Sequence, residues 1–193
     1  KEAAGLSFNM ITIDGDSSTN DTVLLLANGA AGGAAIDEGL EEAALFQEAL
    51  TQLCVSLAKE VVRDGEGASK LFEVTIQGAL SDEEARMAAR TVANSSLVKT
   101  AVYGSDPNWG RIIAALGRSG AAVEEGKLAL YVSDVCIMED GLPVPFFKDS
   151  VVLLMKSPEV SFRIHLNLGQ GAATAWGCDL SEGYVTINSA YTT

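Results

Sequence analysis

Near the start of the chain two apolar runs, Phe8–Ile13 and Thr22–Ala27, flank a polar island, Asp14–Asp21. The runs hold β-branched and aromatic residues between turn formers, which predicts two strands. The island holds three carboxylates (Asp14, Asp16, Asp21), three hydroxyls (Ser17, Ser18, Thr19) and the Asn20 amide. A turn needs a glycine and one or two such residues, so the surplus marks the wall of a polar site. Farther on, Leu40, Ala43, Phe46, Leu50, Leu53, Leu57 and Val61 recur at three-to-four spacing, which predicts a helix over 38–63 with one buried face. Acidic residues crowd its first turns, as the helix dipole favours, and Asp64-Gly65 ends it.

Leu71–Gln77 alternates as a strand. Ser81-Asp82-Glu83-Glu84 is a capping box, opening a helix to about Asn94. Asp106-Pro107 predicts a further helix, with Asp as N-cap and Pro in its first position. Strands are expected at Leu128–Val132, Val135–Met138, Val160–Leu168 and Tyr184–Asn188, and a short helix at Ser150–Lys156. Helices and strands mix without strict alternation, which favours a layered α+β sandwich over a Rossmann sheet. The expected division is a main sandwich over 1–125 and a C-terminal lobe with its tail over 126–193.

A net charge of −13 argues against nucleic acid and against an anionic membrane surface, both of which need clustered Lys and Arg. Apolar runs fall far short of the ~20 residues of a membrane span. Cys54, Cys136 and Cys178 are odd in number and widely spaced, so neither a disulfide framework nor a zinc site is expected, and a reducing compartment fits. The single histidine, His165, lies in an alternating run and reads as a sheet residue rather than a catalytic base.

Three further polar clusters stand out. Glu66 lies between two glycines in Arg63-Asp64-Gly65-Glu66-Gly67-Ala68-Ser69-Lys70. A carboxylate there suits an ammonium group that the backbone lets approach closely, or is a solvated residue of a helix-to-strand turn. In Asp106-Pro107-Asn108-Trp109-Gly110-Arg111, Arg111 either holds a carboxylate bidentately or pairs with a surface acid. Trp109 reads as core or interface. The tail, Asn188-Ser189-Ala190-Tyr191-Thr192-Thr193, is rich in hydroxyls, although chain ends commonly fray.

These segments resemble one family, the ornithine acetyltransferases of arginine biosynthesis. The resemblance rests on Phe8-Asn9 with Asp14-Gly15-Asp16 and Ser18-Thr19-Asn20-Asp21-Thr22, on Val62–Ala68, on Thr91–Ser95 with Leu97–Thr100, on Asp106–Arg111, and on Asn188 with Tyr191-Thr192-Thr193. It spans nearly the whole chain in order. It implies an α/β/β/α-type sandwich with a small C-terminal lobe, the fold of an autoprocessed N-terminal-nucleophile-like enzyme. The precursor cuts itself before a threonine, whose hydroxyl takes acetyl from N-acetylornithine and passes it to glutamate. Its own amine is the base, so no histidine is needed.

By this resemblance the chain is similar to the β subunit without its opening threonine. The nucleophile is expected upstream of Lys1, and the chain by itself is not expected to transfer acetyl. Glu66, Asn188 and Thr193 match the family's substrate-binding positions, and the tail is expected to return to the site. The oxyanion donors are expected on the α chain, and the assembly is an α2β2 heterotetramer. No metal or cofactor is implied, although acetyl-CoA serves some members as donor. The implied location is the cytoplasm, or the mitochondrial or plastid matrix in a eukaryote. The polar island is read as support beside the site.

Overall fold

The computed structural model describes residues 1–37 and 39–190. Among these, seven strands form one mixed sheet in the order β1-β7-β2-β6-β3-β4-β5. The strands are β1 (Ile11–Thr12), β2 (Leu71–Ala79), β3 (Ala129–Val132), β4 (Val135–Glu139), β5 (Leu142–Pro143), β6 (Glu159–His165) and β7 (Gly171–Cys178). The helices are α1 (Glu2–Gly5), α2 (Glu41–Arg63), α3 (Asp82–Ala93), α4 (Ser96–Tyr103), α5 (Trp109–Gly117), α6 (Lys148–Met155) and α7 (Glu182–Ala190). Central strand β2 runs antiparallel to β7 and parallel to β6. The sheet therefore interleaves strands from both sides of residue 125, with β7 lying between β1 and β2.

Strand alternation divides the sheet into two unlike faces. Phe72, Val74 and Ile76 of β2 and Val160, Phe162 and Ile164 of β6 are buried. With Leu130 and Val132 of β3 they meet α3, α5 and α6 in the main core. The α3 side of the contact is almost all alanine: Ala85, Ala88, Ala89 and Ala93, with Val92. Small residues on both sides let the helix lie close to β7. A Cβ on Gly177 would stand 2.9 Å from the Phe72 ring and 3.2 Å from the Ala93 carbonyl. On the opposite face Glu73, Thr75 and Gln77 are only half-buried. Thr75 shares a 3.0 Å hydrogen bond there with Thr174.

Several elements depart from the sequence reading. Phe8–Met10 is a 3-10 turn and only Ile11–Thr12 joins the sheet. Thr22–Ala27 forms no strand: Leu24 and Leu26 are exposed, and the segment has no sheet neighbour to satisfy its backbone. Helix α2 forms over nearly its expected length, but it docks through Val55, Ala58 and Val62. Its predicted buried stripe is open, with Phe46, Leu53, Leu57 and Val61 all about half exposed or more. Spacing shows that a helix face is apolar; what covers it depends on the rest of the fold. Helix α5 begins at Trp109 and is capped by Asn108, whose side chain accepts the Arg111 N–H, so Asp106 is not its cap. Tyr184–Asn188 is helical, although Val185, Thr186 and Ile187 favour strands. Ser181 starts that helix by accepting the Tyr184 N–H at 3.3 Å, and tertiary contact overrides propensity.

Candidate functional site

The C-terminal ends of β1 and β7 and the N-terminal end of β2 share one end of the sheet. Two of the three expected site residues meet there. Asn188 Nδ2 donates to Glu66 Oε2 at 2.7 Å across 122 positions of sequence. The same amide donates to the Tyr184 carbonyl at 3.0 Å, fixing the side chain against its own helix. Both Glu66 and Asn188 are exposed. The carboxylate thus has one oxygen held by an amide and a surface open to a cationic group. Thr193 lies outside the described residues.

The loop bearing Glu66 is fixed from below. Asp179 accepts the backbone N–H groups of Ser69 at 2.8 Å and Lys70 at 2.9 Å, and the Ser69 hydroxyl as well. Ser181 Oγ donates to the Gly67 carbonyl at 2.6 Å. Gly67 has φ +69°, and a Cβ there would stand 2.4 Å from the Tyr184 nitrogen. Only glycine lets α7 start so close to the loop, which is what brings Asn188 over Glu66.

Part of the polar island joins this end of the sheet. Asp14 uses both oxygens: Oδ1 accepts the Asp16 N–H at 3.0 Å and Oδ2 accepts the Tyr184 hydroxyl at 3.1 Å. Burial, the bond to Asp14, and the charges of Asp14, Asp16 and Glu66 raise the Tyr184 phenol above its usual range. Thr12 Oγ1 donates to Asn94 Oδ1 at 2.8 Å. Asp14 thus acts as a support for α7. Ser18 through Thr22 are joined by short-range hydrogen bonds in local turns.

The other candidates are absorbed by the framework. Arg111 donates to the Leu97 carbonyl at 3.0 Å and to Thr100 Oγ1 at 3.1 Å, so α4 occupies it. Trp109 packs against the core. His165 is a residue of β6, with its ring edge-on to Tyr131 at 5.5 Å. Burial, and then the Arg163 charge, lower its pKa. Lys70 donates to the carbonyls of Val102 and Met155 at 2.8 and 2.9 Å and to Ser105 Oγ at 2.7 Å, tying the ends of α4 and α6 to the Glu66 loop.

Three residues at this end escaped sequence reasoning: Tyr184, Asp179 and Lys99. Only Lys99 leaves a trace in the sequence, as a lone cation in the apolar turn Leu97-Val98-Lys99-Thr100-Ala101-Val102. It is 2% exposed.

Fold and site define a mixed α+β protein with an open carboxylate–amide pair at one end of its sheet. The chain belongs to the ArgJ family, whose model matches residues 1–193. An arginine biosynthesis bifunctional protein ArgJ from Chlorobium chlorochromatii is 53% identical over 98% of the chain and 44% of its own length. One from Dehalococcoides mccartyi is 49% identical over 100% of the chain and 48% of its own length. The chain thus spans about half the length of the curated relatives it matches. The crystal structure of arginine biosynthesis bifunctional protein ArgJ from Bacillus halodurans superposes with a TM-score of 0.95 at 40% identity. That match covers 98% of this chain and 90% of the other.

Proposed function

We propose that this chain is the substrate-holding part of an acetyltransferase of arginine biosynthesis, which moves acetyl from N-acetylornithine to glutamate. The Glu66–Asn188 pair at 2.7 Å, in a chain of the ArgJ family, carries this reading. In the first half-reaction a threonine hydroxyl, upstream of Lys1 in the longer polypeptide, attacks the acetyl carbonyl. The amide C–N bond breaks, ornithine leaves with the proton, and an acetyl-threonine ester remains. In the second, the glutamate amine attacks that ester, N-acetylglutamate leaves, and the threonine hydroxyl is restored.

This chain's share is positioning. Glu66 holds a substrate ammonium and Asn188 orients its carboxylate; the family resemblance assigns Thr193 to substrate binding as well. Carbonyl polarisation needs preorganised donors, which an α chain of the same precursor supplies in an α2β2 assembly. The acetyl donor in this reading is N-acetylornithine, and the reading calls on no cofactor. Three free cysteines suit the reducing cytoplasm, and no described helix is long and apolar enough to cross a membrane.

The test is kinetic, on the complete enzyme supplied with N-acetylornithine and glutamate. Glu66→Ala removes a charge-assisted hydrogen bond of roughly 1.5–3 kcal/mol, which is about 10- to 160-fold in kcat/KM. Its melting temperature stays near wild type, because the side chain is exposed. Unchanged transfer kinetics in this variant would falsify the role of Glu66. Acetate release that does not depend on glutamate would replace the transferase with an amidohydrolase.

A further inference from the structure

Parallel strands β1 and β7 pair over only two residues, ending at Thr12 and Gly177. Just at that end lies the buried ammonium of Lys99. It donates to the Cys178 carbonyl at 2.8 Å and to the Thr12 carbonyl at 3.4 Å, with the Phe72 ring 5.6 Å away. The backbone carbonyl of Lys99 accepts the Leu180 N–H at 3.3 Å. One side chain thus bridges two strands where their own ladder stops.

Each strand then leads within two residues to a carboxylate that anchors one half of the candidate site. Past Thr12, Asp14 accepts from Tyr184 and holds α7, which bears Asn188. Past Cys178, Asp179 accepts from Ser69 and Lys70 and holds the loop that bears Glu66. The separation of Asn188 from Glu66 is therefore set where the two strands part. Burial lowers the Lys99 pKa, and Cys178, Asp14 and Asp179 oppose that shift.

We propose that Lys99 is a positioning residue: its ammonium holds the diverging ends of β1 and β7 at a fixed spacing and so keeps Asn188 aligned on Glu66. Its kinetic consequence rests on the acetyl-transfer reading above; its structural consequence does not. The experiment uses the complete enzyme with Lys99→Met, which keeps an unbranched chain of similar size without the charge. Hydrogen exchange is followed in peptides covering α7 and 62–70, with α3 as internal reference.

The expected result is exchange about fivefold faster in α7 with α3 unchanged. KM for the ammonium-bearing substrate rises about tenfold while kcat stays within about threefold. Lys99→Arg, which can still donate to both carbonyls, restores both readouts to within about threefold. Normal exchange in α7 together with a normal KM overturns the proposal. So does an equal acceleration throughout α3, which makes Lys99 a determinant of the whole fold only. Should Lys99→Met not fold, Tyr184→Phe cuts the same linkage at an accessible side chain. It is expected to speed exchange in α7 and raise KM with kcat preserved, and normal values for both overturn the proposal. A wild-type enzyme that moves no acetyl defeats the acetyl-transfer reading alone, and exchange then decides the role of Lys99.

Discussion

Helices α3 and α2 both carry apolar residues at three-to-four spacing, yet only one of them has that stripe fully covered. Along α3, Ala85, Ala88, Ala89, Val92 and Ala93 all lie against β2 and β7. Along α2, nearly twice as long, only Ala58 and Val62 are fully buried, while Leu45, Phe46, Leu53 and Leu57 face outward. The short helix with small side chains is better covered because small side chains permit close approach to a sheet whose facing positions are Ala175 and Gly177. The long helix has larger apolar residues, and among the described residues nothing lies over most of them. Amphipathicity thus records the character of a face, whereas burial records its neighbours.

Substitutions on the two sides separate these meanings. Phe72→Ala empties the core beneath α3, where Phe72 is fully buried and edge-on to Phe162 at 6.2 Å. It should cost about 3–5 kcal/mol in denaturant unfolding. A loss below about 1 kcal/mol would show that the α3 face is far less tightly packed than its contacts imply. Ser81→Ala removes the cap that accepts the Glu84 N–H at 3.2 Å and should cost about 1 kcal/mol, with the core intact. Leu53→Gln, on the open stripe of α2, should change the stability of the 193-residue chain by less than about 0.5 kcal/mol. A loss approaching that of Phe72→Ala would mean that the stripe is covered after all, and the contrast between the helices would disappear.

Local signals were legible where a few neighbouring residues suffice. Ser81 caps α3 as expected, although the Glu84 carboxylate accepts the Ala122 N–H at 3.0 Å rather than completing the box, and Leu71–Gln77 lies within β2 with the predicted alternation. The resemblance named Glu66 and Asn188, and the structure brings them to 2.7 Å. Illegible features depend on distant partners. Thr22–Ala27 has the composition of a strand and no sheet edge beside it. Val185-Thr186-Ile187 has strand propensity, but the Ser181 cap and the approach of α7 to Gly67 make it helical. Asp14 stands out in the sequence only as one of several polar neighbours; its partner, Tyr184, lies 170 positions away.

The sequence by itself determined the α+β class, the Ser81 cap of α3 and the apolar alternation of β2. These follow from short-range periodicity and hydrogen-bonding capacity. The tertiary structure alone decided which apolar faces are covered, that β7 inserts between β1 and β2, and that a buried lysine stands where two strands part. Those outcomes rest on contacts between residues tens to more than a hundred positions apart, and no local pattern encodes which of many compatible partners a side chain will meet.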